Sequence, residues 1–275
     1  MKKVIITGGE GFIGRNFPDY FERLDLRLDN ELRKLADCNS LIHLAGLAHG
    51  TFTADDYQRN NVDLSVGLCK SAINFGVKRF VYLSSVNVCK LFFDDLKSTD
   101  LSALSKYHAE RALIEFGETN DIEIVIVRAP LVYGPEAPGN FGVLTKFVNS
   151  IPLLPFGLAT NRRDFISVQN LADLLVTCAT HPNAAGHTFL ASDGETVSIK
   201  EFTNAIAKGL GKKVIQLPVP VTLMRLAGKL TGKSAMIEQL YGDLEVDSSN
   251  IKEVLGWTPP FTMEQSMALL KHTDK

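Results

Sequence analysis

Three glycines spaced Gly8-x-x-Gly11-x-x-Gly14 stand directly behind the apolar run Lys3–Thr7 and open a helix-period segment. No other feature constrains the fold as much. The first glycine permits a tight turn, the second lets backbone approach a pyrophosphate, and the third lets helix pack on strand. A helix N-terminus behind such a turn offers free N–H groups and a positive dipole end to phosphate. The stretch therefore predicts the strand, turn and first helix of a Rossmann unit that holds a dinucleotide.

The rest of the chain supports that start. Short apolar runs alternate with helix-period segments through the first two-thirds, the pattern of a parallel sheet with crossover helices. The strands read from the sequence are Lys3–Thr7, Asp25–Asp29, Ser40–Leu44, Arg79–Ser84 and Glu123–Arg128. Their Val, Ile and Leu content suits strands buried on both faces. Helices are expected over Gly11–Arg23, Ala54–Phe75, Ser98–Asn120 and Gly139–Ser150. The fold class is α/β, a Rossmann-type doubly wound parallel sheet with a smaller C-terminal substrate-binding region. Residues 1–130 and about 164–182 form the dinucleotide-binding domain in this reading. Residues 131–163 and 183–275 form the substrate region, with loops at Gly134–Gly139 and Ile151–Gly157.

Charge excludes several functions. The formal net charge is −2, which gives no electrostatic case for nucleic acid or an anionic membrane as the main partner. The N-terminal apolar run stops at Gly8-Gly9, too short for the core of a signal peptide. Cys38, Cys69, Cys89 and Cys178 lie far apart without metal-ligand spacing, so they read as reduced thiols in a cytoplasmic protein with no metal. The histidines show no metal-ligand spacing either.

Asp29 lies about 20 residues beyond the glycine turn, where a carboxylate accepts hydrogen bonds from the adenosine ribose and repels a 2′-phosphate. It argues for NAD, while Arg15 and Arg27 leave NADP open.

At this point the residues resemble a family. Besides the glycine turn, they are His43-Leu44-Ala45-Gly46, Asn61-Val62-Asp63, Tyr82-Leu83-Ser84-Ser85-Val86 and Ala103–Glu110. Further matches are Arg128–Pro135, Asn161–Ile166, Val246–Ser249 and Gly256-Trp257-Thr258-Pro259. Together they resemble the extended short-chain dehydrogenase/reductases, the NAD-dependent epimerase/dehydratases, over nearly the whole chain. The strings Gly139-Asn140-Phe141, Asn161-Arg162-Arg163 and Ser192–Glu195 look most like bacterial enzymes that reduce UDP-4-keto-6-deoxy-N-acetylhexosamines or epimerise UDP-hexoses for surface polysaccharides.

The resemblance implies cofactor contacts at Thr7, Gly8, Gly11, Phe12, Ile13, Gly14, Asp29, Leu44, Ala45, Gly46, Asn61, Ser84, Lys106, Pro130 and Val132. It implies a UDP-linked sugar held by Asn87, Asn140, Arg162 and Arg163, and a homodimer formed through the helices near Ala54–Phe75 and Ser98–Asn120. Guanidinium groups suit a diphosphate because they offer planar, bidentate donors. Arg162 and Arg163 also read as a surface pair bridging to Asp164. Arg225, Lys229 and Lys233 recur about every four residues, as the wet face of a helix or as contacts for a uridine diphosphate.

In such enzymes a Ser or Thr, a Tyr and a Lys carry the chemistry, the last two spaced Tyr-x-x-x-Lys on one helix face. The ammonium lowers the phenol's pKa, so that it exchanges a proton with the sugar oxygen as hydride moves. Ser85 and Lys106 match, but Ser102 stands where the tyrosine is expected. An aliphatic hydroxyl is far too weak an acid to replace a tuned phenol. Tyr107 and Tyr133 are the alternative phenols. The same replacement also fits a weak or inactive dinucleotide-binding sensor or partner protein. The stretches Gly14–His43 and Cys89–Ser102 are short for the superfamily, and Lys90 stands where a glycine is usual.

Overall fold

A computed structural model describes residues 3–47, 50, 52–93, 100–232 and 234–272, with a few further side chains undescribed. The strands in chain order are β1 (Val4–Thr7), β2 (Glu22–Leu24), β3 (Ser40–His43), β4 (Arg79–Ser85), β5 (Glu123–Ala129), β6 (Leu131–Tyr133), β7 (Leu153–Leu154), β8 (Phe165–Ser167), β9 (Thr188–Leu190) and β10 (Ile215–Gln216).

The chain divides into two compact units. The first holds Met1–Pro130, Val168–Ala191 and Asp247–Pro260. Its sheet runs β2-β1-β3-β4-β5-β9, and every pairing is parallel. Ile5, Ile6, Leu41, Ile42, Phe80, Val81, Val125 and Val127 are buried, as strands covered on both faces require. The helix Leu101–Thr119 begins where the Asp100 carboxylate accepts from the Ala103 N–H. It buries Ala103, Ser105, Ala109, Glu110 and Leu113. The segment Ala54–Asn74 is helical throughout but passes through a π-helical turn at Gln58–Asp63. Such turns widen a helix locally and often mark functional positions.

Two expectations near the N-terminus are corrected. The helix predicted over Gly11–Arg23 covers only Phe12–Arg15. The Asn16 amide folds back to donate to the Phe12 carbonyl, and Pro18 can neither supply a helical N–H nor let Phe17 remain α. The chain then has room for β2 at Glu22–Leu24, not at Asp25–Asp29. Asp25 ends the strand, because its carboxylate accepts from the Arg27 backbone N–H and guanidinium and turns the chain. Asp29 instead opens a 3-10 segment running to Asp37.

A third correction concerns the domain limits. The segment 164–182 was expected to return whole to the first domain, and residues 183–275 to stay outside it. The helix Val168–Thr180 does return, but β8 pairs with β6 in the second unit. The strand β9 and the helix Ser249–Leu255 belong to the first unit. Trp257 fastens that last stretch, its indole N–H donating to Asp173 at 2.6 Å.

The second unit holds Leu131–Ser167, Ser192–Val246 and Phe261–Lys275. It is mostly helical, with two parallel strand pairs, β6–β8 and β7–β10. Tyr133, Phe141, Phe165 and Phe202 form its aromatic core, Phe165 and Phe202 being stacked at 3.8 Å. The helix Ile199–Gly209 starts in a capping box between Ser198 and Glu201.

Glu110 and Arg128 form the best-enclosed ion pair among the described residues. The guanidinium donates to both carboxylate oxygens, at 3.0 and 2.6 Å, and the Glu110 side chain is 2% exposed. Removing one member strands the other charge in a poorly solvated place. Glu110→Ala is expected to lower the unfolding free energy by ~3 kcal/mol, measured by urea denaturation, with Glu110→Gln costing less.

Candidate functional site

The glycine turn is built as its spacing requires. Gly8 adopts a positive φ of 68°, and a Cβ there would lie 2.8 Å from the Ala45 nitrogen. A Cβ at Gly14 would lie 2.3 Å from the Gly8 carbonyl oxygen, so only glycine lets this turn close. Gly11 receives the turn, its N–H donating to Gly8 O at 3.0 Å. Gly9 has its own close neighbour, because the Arg23 side chain lies across it.

A buried hydrogen-bond chain ties this turn to the next loop. The Leu44 N–H donates to Thr7 Oγ1, and Thr7 Oγ1 donates to His43 Nδ1 at 2.7 Å. Ser65 spends its hydroxyl proton on the Asn61 carbonyl, so His43 Nε2 carries the proton that reaches Ser65 Oγ at 3.0 Å. His43 is thus a neutral imidazole, its pKa pushed down to about 3 by burial and by the Lys106 charge. Asn61 completes the brace. Its amide donates to Leu47 O and Ser105 Oγ, and its oxygen accepts from Leu47 N–H. This brace was not anticipated from the sequence, where His43 reads as a core residue and Asn61 only as a cofactor contact.

Lys106 enters from the helix Leu101–Thr119. Its ammonium donates to the Leu83 carbonyl at 3.0 Å and lies 4.8 Å from the centre of the Tyr82 ring. Gly46 keeps the space beside it open: a Cβ there would lie 2.9 Å from Asn61 Oδ1 and 3.5 Å from Lys106 Nζ. Burial of the ammonium, only partly offset by Glu110, brings the Lys106 pKa down to about 8. Ser84 Oγ, at the end of β4, is buried without a partner among the described residues. The turn at Gly8, the gap at Gly46 and the orphaned Ser84 hydroxyl suit a polyphosphate and sugar lying along this edge.

Ser85 closes β4, and its Oγ accepts from the Asn87 N–H at 3.2 Å. Asn87 starts the helix Asn87–Phe93 and is half-buried. Ser102 sits in the first turn of the lysine's helix, half-buried, and its carbonyl accepts from the Ser105 hydroxyl. The first unit therefore brings together Thr7, Gly8, Leu44, Ala45, Gly46, Asn61 and Lys106. Phe12 and Ile13 open the short helix behind the turn, and Pro130 ends the unit's first segment.

Among the phenols, Tyr133 is locked in the second unit. It donates to Asp193 Oδ2 at 2.6 Å, and burial together with that carboxylate holds its proton far more tightly than usual. Tyr82 is fully buried, with its pKa driven upward by burial. Tyr107 lies next to His108, their ring centres 5.8 Å apart. The side chain of Asp29 lies outside the described residues. The carboxylate that directly follows β2 is Asp25, and hydrogen bonds from Arg27 hold its pKa down to about 2. A sequence reading misses it because the tertiary structure decides where the strand ends.

In the second unit, Val132 lies in β6 and Asn140 is exposed near the start of the helix Gly139–Ser150. Arg163 is buried and donates to the Gly242 carbonyl, while Arg162 is exposed and pairs with Glu245 at 2.9 Å. No group of His, Cys, Asp or Glu with metal-binding geometry occurs among the described residues.

The family described as NAD dependent epimerase/dehydratase matches residues 18–192. A UDP-glucose 4-epimerase from Vibrio cholerae is 36% identical, covering 96% of this chain and 93% of its own. The chain belongs to the NAD dependent epimerase/dehydratase family. The alignment runs over 307 positions against 275 residues, so the epimerase carries stretches that this family member lacks. Two solved structures share the fold. A UDP-glucuronic acid 4-epimerase from Bacillus cereus in complex with NAD has a TM-score of 0.71 at 19% identity, covering 100% of both chains. A short-chain dehydrogenase/reductase superfamily protein from Agrobacterium tumefaciens with bound NAD has a TM-score of 0.71 at 17% identity, covering 98% of this chain and 96% of its own.

The Lys106 environment has a measurable signature. With a folded pKa near 8 and an unfolded value near 10.4, the unfolded chain binds more protons between those limits. The burial penalty is full below pH 8 and is relieved as pH rises toward 10.4. The unfolding free energy of the native chain, measured against Lys106→Met, should therefore rise across that window and stay level below it.

Proposed function

We propose that the chain is an NAD(P)-dependent nucleotide-sugar oxidoreductase or epimerase-like protein. Its substrate is a UDP-linked hexosamine, oxidised or reduced at C4 for surface-polysaccharide synthesis, and its active site has lost the usual phenol. The observation that carries this reading is the 36% identity, over 96% of the chain, to a UDP-glucose 4-epimerase. The Gly8 turn and the Lys106 setting support the cofactor side. When bound, the nicotinamide supplies or accepts the hydride.

The chain's own residues have separable tasks. The N–H groups behind Gly11 hold the pyrophosphate. Asp25, ionised down to about pH 2, takes the ribose hydroxyls and favours NAD over its 2′-phosphorylated form. Lys106 donates to the second ribose and raises the local positive potential. The Ser85 hydroxyl orients the sugar oxygen, with Asn87 beside it. Arg162, Asn140 and their neighbours take the diphosphate, and Arg163 positions that segment from beneath through Gly242.

Ser102 favours a second reading, a binding protein of the same fold with little or no turnover. Its hydroxyl cannot deliver a proton at neutral pH as a lysine-tuned phenol does, a loss of ~10²–10⁴ in rate. The experiment mixes the protein anaerobically with NADH or NADPH and a UDP-4-keto-6-deoxy-N-acetylhexosamine, following loss of reduced-nicotinamide absorbance. Slow turnover is expected from the native chain, and Ser102→Tyr should raise it by roughly 10²-fold. If both ligands bind in calorimetry but neither protein turns over, the binding reading replaces the enzymatic one. No binding of any uridine diphosphate would overturn the substrate class.

A further inference from the structure

Between Glu201 and Glu238 the chain carries six cations (Lys208, Lys212, Lys213, Arg225, Lys229 and Lys233) and no carboxylate. Between Lys146 and Arg162 it carries no charge at all. The overall net charge of −2 conceals this asymmetry. The second unit brings the two stretches side by side, because β7 and β10 pair in parallel with Ile215 opposite Leu153.

Strand alternation then sorts the ribbon into two faces. Leu154 is buried and Gln216 donates to Thr203 and Asn204, so these two point inward. Ile151 and Leu153 on one row, and Ile215 and Leu217 on the other, share the outer face and are all exposed, Ile215 to 62%. Lys213 continues the outer row of β10 and is exposed too.

Four residues after Leu217 the helix Val221–Leu230 begins. Its packed side is set by Gly228, where a Cβ would lie 2.8 Å from Ile237. Leu223, Leu226 and Leu230, spaced three and four apart, form one stripe on the opposite side. Leu226 is 52% and Leu230 81% exposed. Lys229 flanks the stripe. Lys212, Lys213 and Lys229 form no ion pair among the described residues, whereas Lys208 and Arg225 are paired with Glu264 and Glu238. Monomeric surfaces rarely leave so many large apolar side chains in one sequence neighbourhood uncovered.

We propose that these exposed apolar rows of the second unit, with the unpaired lysines beside them in sequence, dock peripherally on an anionic phospholipid bilayer. Leucine and isoleucine side chains sink into the headgroup boundary while lysines meet the lipid phosphates, the arrangement of interfacial helices. A second copy of the chain fits the face less well. A two-fold contact sets the same patch against itself, and this patch would oppose lysine to lysine, the Glu238 carboxylate beside the helix being already paired with Arg225. The residues concerned take no part in the proposed chemistry, so docking and sugar-nucleotide turnover stand or fall separately.

The test is sedimentation of the full chain with vesicles of phosphatidylcholine alone or of phosphatidylcholine with phosphatidylglycerol. Binding is expected to the anionic vesicles only, and to weaken with added salt. The double variant Leu226→Asp/Leu230→Asp should lower vesicle affinity about tenfold or more, and Lys212→Glu/Lys213→Glu should do likewise. Both should keep native circular dichroism and native NADH binding. The proposal is overturned if the folded native chain binds neither vesicle, or if both variants bind as well as it does. It is also overturned if gel filtration without lipid shows a dimer that the leucine variants dissociate, since the face then serves a second copy.

Discussion

The buried chain of hydrogen bonds from Thr7 through His43 and Ser65 to Asn61 is the constraint on which the first unit's site depends. Thr7 ends β1 and aims the glycine turn. His43 ends β3, and Asn61 sits in a π-helical turn that lets its amide reach both the loop after β3 and Ser105 on the lysine's helix. Each member is buried, so each unmade bond would leave a desolvated polar group. The network works only with a neutral imidazole, which burial enforces. Cofactor turn, loop and helix are thereby held in one register without any of these side chains needing to touch a ligand.

The Lys106 ammonium donates to the Leu83 carbonyl, and the residue four positions earlier on its helix is Ser102. Tyr82 lies beneath the ammonium within the first unit's core, and in the second unit Tyr133 donates to Asp193. The first unit is economised as well. The helix after the glycine turn is one turn long, β2 is three residues long, and β2 forms the sheet's edge beside β1. This edge still carries a carboxylate, Asp25, and two arginines, Arg23 and Arg27, close to the turn.

The second unit distributes its charge differently from the whole. Its acids cluster around Asp164, Asp193 and the segment Asp243–Glu245, where they fix backbone N–H groups and Arg162. Its cations collect in the stretch before Glu238. A net charge computed over all residues averages these regions to nearly zero and so hides the run of cations between Glu201 and Glu238.

Much of this protein was legible in its sequence. Strands rich in Val, Ile and Leu and the glycine spacing specify a parallel sheet with a close-packed glycine turn, since both depend on local backbone sterics and burial period. That Ser102 precedes Lys106 by four residues is equally a matter of reading along one helix. What the sequence left open depends on long-range choices. Pro18 and the Asn16 back-bond shorten a helix that periodicity alone extends, and this moves the acid at the strand's end from Asp29 to Asp25. The return of Ser249–Leu255 to the first unit rests on Trp257 meeting Asp173, residues 84 apart in sequence. The hydrogen bonds of His43, the burial of Arg163 and the pairing of Ile215 with Leu153 likewise join distant segments. Only tertiary structure decides such contacts, because no local preference distinguishes a side chain that will find its partner from one left facing water.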